Sequence, residues 1–270
     1  MPWLSRGSSY GRPLRRLPVN LSDSALAAEY DAIFDQRGSL YHQAMARAPR
    51  ARDAEFAQLF AHCPLVANER LIDVPSGGGY LSQFLQRSMP GTPVQVVNLE
   101  FSPGFGPTPQ VVDPYGAWPL DPDCADRVIC LAATHHIQHL DKLLDNVRCV
   151  LRPGGLLHIA DVRPDSGIAT FLDTFVDRHT STGHRGNYRS FERLAWPSWL
   201  EMIDVQTRPC AWRFETARQM LLFCHGLFGL GQDGFDGLEE ALRCHVGVHE
   251  SESGVELLWE LSYYEARLIG

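Results

Sequence analysis

The stretch that most restricts what this chain can become runs from Leu71 to Leu81 and reads Leu-Ile-Asp-Val-Pro-Ser-Gly-Gly-Gly-Tyr-Leu. A short apolar run (Leu71, Ile72, Val74) ends in Pro75-Ser76 and three glycines, after which Leu81, Phe84 and Leu85 recur at helical spacing. The pattern predicts a strand, a tight turn and a helix, the first unit of a nucleotide-binding fold. Glycines 77 to 79 let the backbone turn sharply and approach a ligand, and the start of the helix offers free N–H groups to its negative end. Asp73, at the strand's end, is placed to accept hydrogen bonds from a ligand ammonium or to organise the loop. A glycine-rich turn with no ligand is the alternative.

Downstream, strand and helix patterns alternate. The helix expected over 79–88 is followed by a turn at Met89-Pro90-Gly91, a strand over 94–99, a pause rich in Pro and Gly over 102–109, and a short strand ending at Asp113. A strand over 127–132, a helix over 141–151, the turn Arg152-Pro-Gly-Gly155 and an apolar strand over 156–162 complete the series. Such alternation calls for an α/β fold with a parallel sheet covered on both faces and a ligand beyond the strands' carboxyl ends.

Upstream, residues 1–21 are rich in Arg, Pro, Gly and Ser and read as a flexible tail. Residues 22–64 read as a helical lid of three short helices. Tyr30, Ile33 and Phe34 lie on the stripe of the first, which Gly38 is expected to end; Ser39 caps the second and Pro49 closes it; the third spans 51–62. The last third is expected to hold a helix over 168–179, a polar stretch over 180–190, and a short helix opened by Pro197 and carrying Trp199, Leu200 and Met202. A strand over 205–209, a buried helix over 217–228, a turn region over 229–237 and a last strand over 255–264, at or beside a sheet edge, follow.

Composition bounds the function. A chain of 270 residues with 44% hydrophobic residues has ample material for a core, and a formal charge of −8 argues against a non-specific nucleic-acid binder. The seven scattered cysteines form no Cys-x-x-Cys pair, so neither a disulfide framework nor a zinc knuckle is expected. With no apolar run of signal or membrane-helix length, a cytoplasmic protein acting away from membranes is expected.

Four stretches together resemble the class I S-adenosylmethionine-dependent methyltransferases, particularly their small-molecule group. They are Asp73-Val-Pro-Ser-Gly-Gly-Gly79, Val96-Val-Asn-Leu-Glu100, Val111-Val-Asp113, and Asp126 to His136 followed by Leu151-Arg-Pro-Gly-Gly155. The resemblance covers about 65–165 well and the rest loosely. It implies a Rossmann-like, seven-stranded, mostly parallel sheet with helices on both faces, with S-adenosyl-L-methionine as cofactor and S-adenosyl-L-homocysteine as product. On this resemblance Asp73, Pro75, Ser76, Gly77 and Gly79 belong to the cofactor loop. Glu100 would grip the ribose hydroxyls, Asp113 would meet the adenine amino group, and Leu131 and Ala132 would line the site from the fourth strand. Pro75 and Ser76 depart from the glycine and small residue that many members carry there.

Physical reading agrees for Glu100, because a strand-end carboxylate can accept two ribose hydroxyl bonds. Asp113, which precedes a proline, also suits an ordinary turn. An NAD-dependent dehydrogenase is the near alternative on this architecture, although the loop is not Gly-x-Gly-x-x-Gly.

Methyl transfer needs a nucleophile held in line, exclusion of water and sometimes a base. Candidates beyond the fourth strand are Thr134, His135, His136 and His139, with sheet packing as the plainer role for the histidines. His135 and His139 share a helical face, but no neighbouring acid supports a metal site, and none is expected. A second cluster, Arg178 to Arg189, supplies His184 and Tyr188 as catalytic candidates and Arg178, Arg185 and Arg189 as anion holders, within acceptor-binding elements at about 163–200. Tyr30, Phe34, Arg37, Tyr41 and His42 are placed to close the lid. The aromatic residues Trp196, Trp199, Trp212, Phe214, Phe223 and Phe228 are candidates for an acceptor wall.

The expected activity is methyl transfer to a small, polar or anionic biosynthetic acceptor. Non-methylating use of the sulfonium (cyclisation or alkyl transfer) and a catalytically silent cofactor-binding subunit are the alternatives. The sequence does not specify an oligomeric state.

Overall fold

The computed structural model describes residues 23–107 and 109–270; the expected tail lies outside the described residues. The chain opens with helix α1 (Asp23–Arg47) and the short α2 (Asp53–Gln58), then enters the sheet with β1 (Arg70–Asp73). Next come α3 (Tyr80–Ser88), β2 (Gln95–Glu100), β3 (Gln110–Val111), β4 (Ala125–Leu131), α4 (Leu140–Val150) and β5 (Leu151–Asp161). A helical run over 167–179 follows, made of α5 (Gly167–Phe171), a π-helical turn (Leu172–Val176) and α6 (Asp177–His179). After β6 (Leu200–Pro209) and β7 (Trp212–Phe214) come α7 (Ala217–Phe228), α8 (Leu238–His245), β8 (Val248–Ser251), β9 (Gly254–Leu257) and β10 (Glu260–Leu268).

Seven strands form one sheet in the order β3-β2-β1-β4-β5-β10-β6. β1 pairs in parallel with β2 and β4, β4 with β5, and β2 with β3, while β10 runs antiparallel between β5 and β6. The expected Rossmann-like sheet is therefore present. The strands at its centre carry runs of apolar residues, because helices bury both faces: Leu71, Ile72, Val128 and Ile129 are all 0% exposed. One core layer joins α2, α3, α5 and α7 to the sheet, and the other lies under α4 with Val147, Leu143 and Ile137.

Three expectations are corrected. Gly38 does not end the first helix; α1 runs straight through it, so one long helix replaces two short ones. The glycine is there for contact, since a Cβ on Gly38 would lie 2.5 Å from the carbonyl carbon and oxygen of Gly104, in the turn Pro103–Phe105. Gly104 is equally constrained, its Cβ falling 2.0 Å from the Phe34 carbonyl oxygen. Second, the short helix expected after Pro197 is strand: β6 begins at Leu200, where pairing with β10 overrides local propensity. Third, the run 255–264 is split. β9 joins a separate antiparallel sheet, β7-β9-β8, and β10 inserts beside the edge strand β6. Neither α8 nor that small sheet is apparent from periodicity.

Candidate active site

The turn after β1 is built from the residues that made it conspicuous. Gly77 has φ +55° and Gly79 φ +75°, and Gly79 caps α3 in the left-handed conformation that its lack of a side chain permits. The Val74–Pro75 peptide is cis. Ala132, at the end of β4, also takes a left-handed φ of +52°, a strained state for a residue with a Cβ and one that favours sites of close approach.

These ends open onto two adjoining cavities. The first is lined by Asp73, Pro75, Ser76, Gly77, Leu131 and Ala132 together with Tyr30, Phe34 and Tyr41 of α1. The second is lined by Arg37, His135, His136, His184, Leu172, Trp212, Phe228 and Trp259. Phe34, Tyr41, Arg52 and Ala132 border both. Leu172 comes from the π-turn, an irregularity that helices often place at functional sites.

In the first cavity Asp73 is 4% exposed, and no donor among the described residues reaches its carboxylate. Burial, then the neighbouring charge of Glu100, holds its carboxyl well above the usual range. A ligand ammonium would supply the counter-charge it lacks.

Glu100 is placed differently from expectation. It is fully buried and already holds four donors: Tyr30 hydroxyl at 2.9 Å, Phe101 N–H at 2.8 Å and Ser102 N–H at 3.2 Å on Oε1, and Gly77 N–H at 2.6 Å on Oε2. It does not line the cavity wall. Burial pushes its carboxyl up to about 7, against the pull of those donors. Gly79 likewise shapes the turn from outside the cavity. Asp113 reaches neither cavity: it is exposed, and its Oδ1 accepts from Tyr115 N–H at 2.8 Å, the ordinary turn geometry of an Asp before a proline.

The second cavity gathers His135, His136 and His184 but not His139, whose ring packs against Tyr115 at 5.4 Å. A residue missed by sequence reasoning organises them. Asp161, at the end of β5, bonds His135 Nδ1 at 2.6 Å and accepts from the His135 N–H at 2.8 Å and from the Thr134 hydroxyl. Burial alone would raise the Asp161 carboxyl, but the charge and hydrogen bonds of His135 hold it below its usual range. His136 and His184 are pushed well below ordinary imidazole by burial and by neighbouring His135, with Arg37 adding to both. Both rings are therefore neutral near neutral pH.

Tyr188 stands behind this cluster, outside the cavity lining: its ring stacks on His135 at 5.3 Å and its hydroxyl donates to Asp173 at 3.1 Å. The expected anion holders are engaged elsewhere. Arg189 donates to the carbonyls of Thr134, Ile137 and Gln138, Arg185 pairs with Asp177 at the surface, and Arg178 is exposed. Arg37 lines the second cavity. It is 5% exposed, bonds the Thr182 hydroxyl at 3.3 Å, and leaves Nε buried without a partner among the described residues. No carboxylate among the described residues pairs with it, and burial lowers it to about 10. Its side chain lies against Gly229, the left-handed cap of α7, where a Cβ would come within 2.7 Å of Nε.

Of the proposed aromatic wall, Trp212 and Phe228 reach the cavity, while Trp196 stacks on Tyr264 in the opposite core layer at 3.8 Å. Arg52, on the wall common to both cavities, is held by Glu55 at 2.8 Å through Nε and donates to the Tyr41 hydroxyl; Trp212 Nε1 donates to the same Glu55 at 2.7 Å.

A family model described as a methyltransferase domain matches residues 41–218. Among curated proteins, the mitochondrial ubiquinone biosynthesis O-methyltransferase of Mus musculus is 23% identical over 93% of this chain and 78% of its own. Among solved structures, the protein in complex with the Haloferax volcanii Trm112 methyltransferase activator superposes with a TM-score of 0.56 at 14% identity, covering 88% of this chain and 98% of its own. The Haemonchus contortus phosphoethanolamine N-methyltransferase 2, bound to phosphomonomethylethanolamine and S-adenosylhomocysteine, gives 0.52 at 14% identity, over 91% of this chain and 60% of its own. These structural likenesses establish the fold. No helix among the described residues is long and apolar enough to cross a membrane.

Proposed function

The chain belongs to the class I S-adenosylmethionine-dependent methyltransferases, and from that premise we propose that it methylates a small acceptor carrying a carboxylate or comparable anion. The observation that carries the reading is Arg37, a buried guanidinium in the second cavity with no carboxylate partner among the described residues. An unpaired buried charge is costly, and an anionic ligand offsets that cost while fixing its own orientation.

S-adenosylmethionine, when bound, supplies an electrophilic methyl group on a sulfonium. Asp73 fits its ammonium, since the carboxylate is buried, lines the first cavity and lacks a donor among the described residues. Pro75, Ser76, Gly77, Leu131 and Ala132 shape the rest of that cavity. Glu100 takes the ribose once Tyr30 yields its place, which makes α1 the lid. Phe34 and Tyr41 exclude water where the cavities meet, and holding two reactants there supplies most of the rate. His135, His136 and His184 surround the acceptor.

The test pairs free acids with their methyl esters across a panel of small acceptors, with S-adenosylmethionine and product mass as the readout. The acids should gain the mass of one CH2, a methyl group in place of a proton, and Arg37→Gln should raise their KM by at least tenfold while leaving S-adenosylhomocysteine affinity intact. Equal turnover of acids and esters by both proteins would refute the anionic acceptor. A rearranged product of unchanged mass would refute methylation.

A further inference from the structure

The histidine cluster has a property that acceptor binding does not require. We propose that His135, His136 and His184 form a binding site for a divalent late first-row metal ion, zinc being the ion that three imidazoles suit best. One ring nitrogen from each lies within 4.8 Å of the others. Zinc bonds to imidazole of about 2.0–2.1 Å put tetrahedral ligands about 3.4 Å apart, so side-chain rotations that close about 1.4 Å complete the site.

Two further observations point to an ion. His184 is 6% exposed, yet its Nδ1 is buried without a hydrogen-bond partner among the described residues. Buried side-chain polar atoms mostly have one, and His184 lines the cavity it shares with His135 and His136. His135, by contrast, has its Nδ1 held by Asp161 at 2.6 Å, which leaves Nε2 as the coordinating atom. A carboxylate behind a histidine is the arrangement that orients metal-bound imidazoles.

The scaffold is also fixed before any ion arrives. Asn187 N–H donates to the His135 carbonyl at 2.8 Å, His184 N–H donates to Asp177 at 2.8 Å, and Arg189 ties down the carbonyls around the 134–138 turn. Three neutral ligands leave the ion doubly positive beside Arg37, so the open position favours an anionic oxygen. The acceptor proposed above supplies one, but the ion site does not depend on that reading.

The experiment uses untagged full-length protein, stripped with a chelator and dialysed against Zn²⁺ or Co²⁺, with bound metal counted by elemental analysis. Wild type and a control altered at the exposed His249 (His249→Ala) should each hold one ion per chain, and the cobalt form should show the visible bands of tetrahedral coordination. His184→Ala should lose the ion while keeping S-adenosylhomocysteine affinity and its melting temperature. Asp161→Asn should weaken metal binding by about 10–100-fold. Wild-type metal content at background, or content unchanged in a folded His184→Ala, would overturn the site. If that variant fails to fold, the cobalt spectrum of the wild type decides, an octahedral or absent signal counting against. Loss of Arg37's effect on acceptor choice would leave the metal count unaltered, so the two readings fail separately.

Discussion

Replacing Tyr30 by phenylalanine should tighten cofactor binding while weakening the free protein. Tyr30 donates to Glu100 at 2.9 Å, and the ribose hydroxyls would use the same carboxylate, so in the wild type the ligand must displace this hydroxyl. A hydrogen bond to a charged group is worth about 1.5–3 kcal/mol. Tyr30→Phe removes that cost of opening and keeps the ring that packs on Phe34 and Phe101, at 4.6 and 5.6 Å. At about 1.4 kcal/mol per decade, S-adenosylhomocysteine should bind about 10- to 150-fold more tightly. Loss of a donor also pushes the Glu100 carboxyl further up from about 7, so the two proteins are compared by calorimetric titration at pH values high enough for each affinity to have reached its plateau. The ligand-free variant should lose a comparable 1.5–3 kcal/mol in urea unfolding. An affinity that is unchanged or weaker would show that Tyr30 and the ribose do not compete, and the lid reading would fall.

Other perturbations separate packing from binding. Asp73→Asn should lower S-adenosylhomocysteine affinity at least tenfold yet raise the stability of the free protein, because it removes a desolvated carboxylate without a donor. Calorimetry and thermal melting check the opposed signs, and a fall in both would make Asp73 structural. Gly38→Ala should destabilise by about 1–3 kcal/mol through the collision with Gly104, although helix propensity alone favours alanine by about 1 kcal/mol; a higher melting temperature would refute the contact. For Glu100, a carboxyl raised from 4.5 to about 7 binds a proton in the native state that the unfolded chain has released. Its stabilising contribution is therefore present below about pH 4.5 and lost as pH rises through about 7, by at most about 3 kcal/mol. Urea unfolding from pH 5 to 8 should show that slope in wild type and not in Glu100→Gln.

The fold was legible because its cues are local. Runs such as Leu71–Ile72 and Val128–Leu131 are apolar, and each is followed by glycines or an amphipathic helix, so the existence of these strands and their burial follow from short windows. The errors came where distant backbone decides. Gly38 reads as a stop until Gly104 is seen against it, and Leu200 to Pro209 reads as mixed until β10 supplies its ladder. On the cofactor side the loop was recognisable, but Glu100 was assigned from its position in the strand, which says nothing about Tyr30 seventy residues earlier. The acceptor side was least legible. Asp161 looks like any strand-end acid, and nothing in the spacing of His135 and His184 shows that the loop after α6 folds back onto the 134–136 turn.

Helix α1 explains why cofactor and acceptor sites cannot be treated apart. Tyr30 and Arg37 are seven residues apart, which at 3.6 residues per turn returns to nearly the same face after about 10 Å of rise. Tyr30 bonds Glu100 beside the first cavity and Arg37 projects into the second, while Phe34, between them, borders both. The backbone is pinned midway by the close approach of Phe34 and Gly38 to Gly104, so the helix cannot bend locally to serve one site alone. Any displacement that frees Glu100 for the ribose must also shift the guanidinium that meets the acceptor. Linkage then makes the effect reciprocal: an anion that fixes Arg37 changes the cost of moving Tyr30 by as much as the cofactor changes the affinity for the anion.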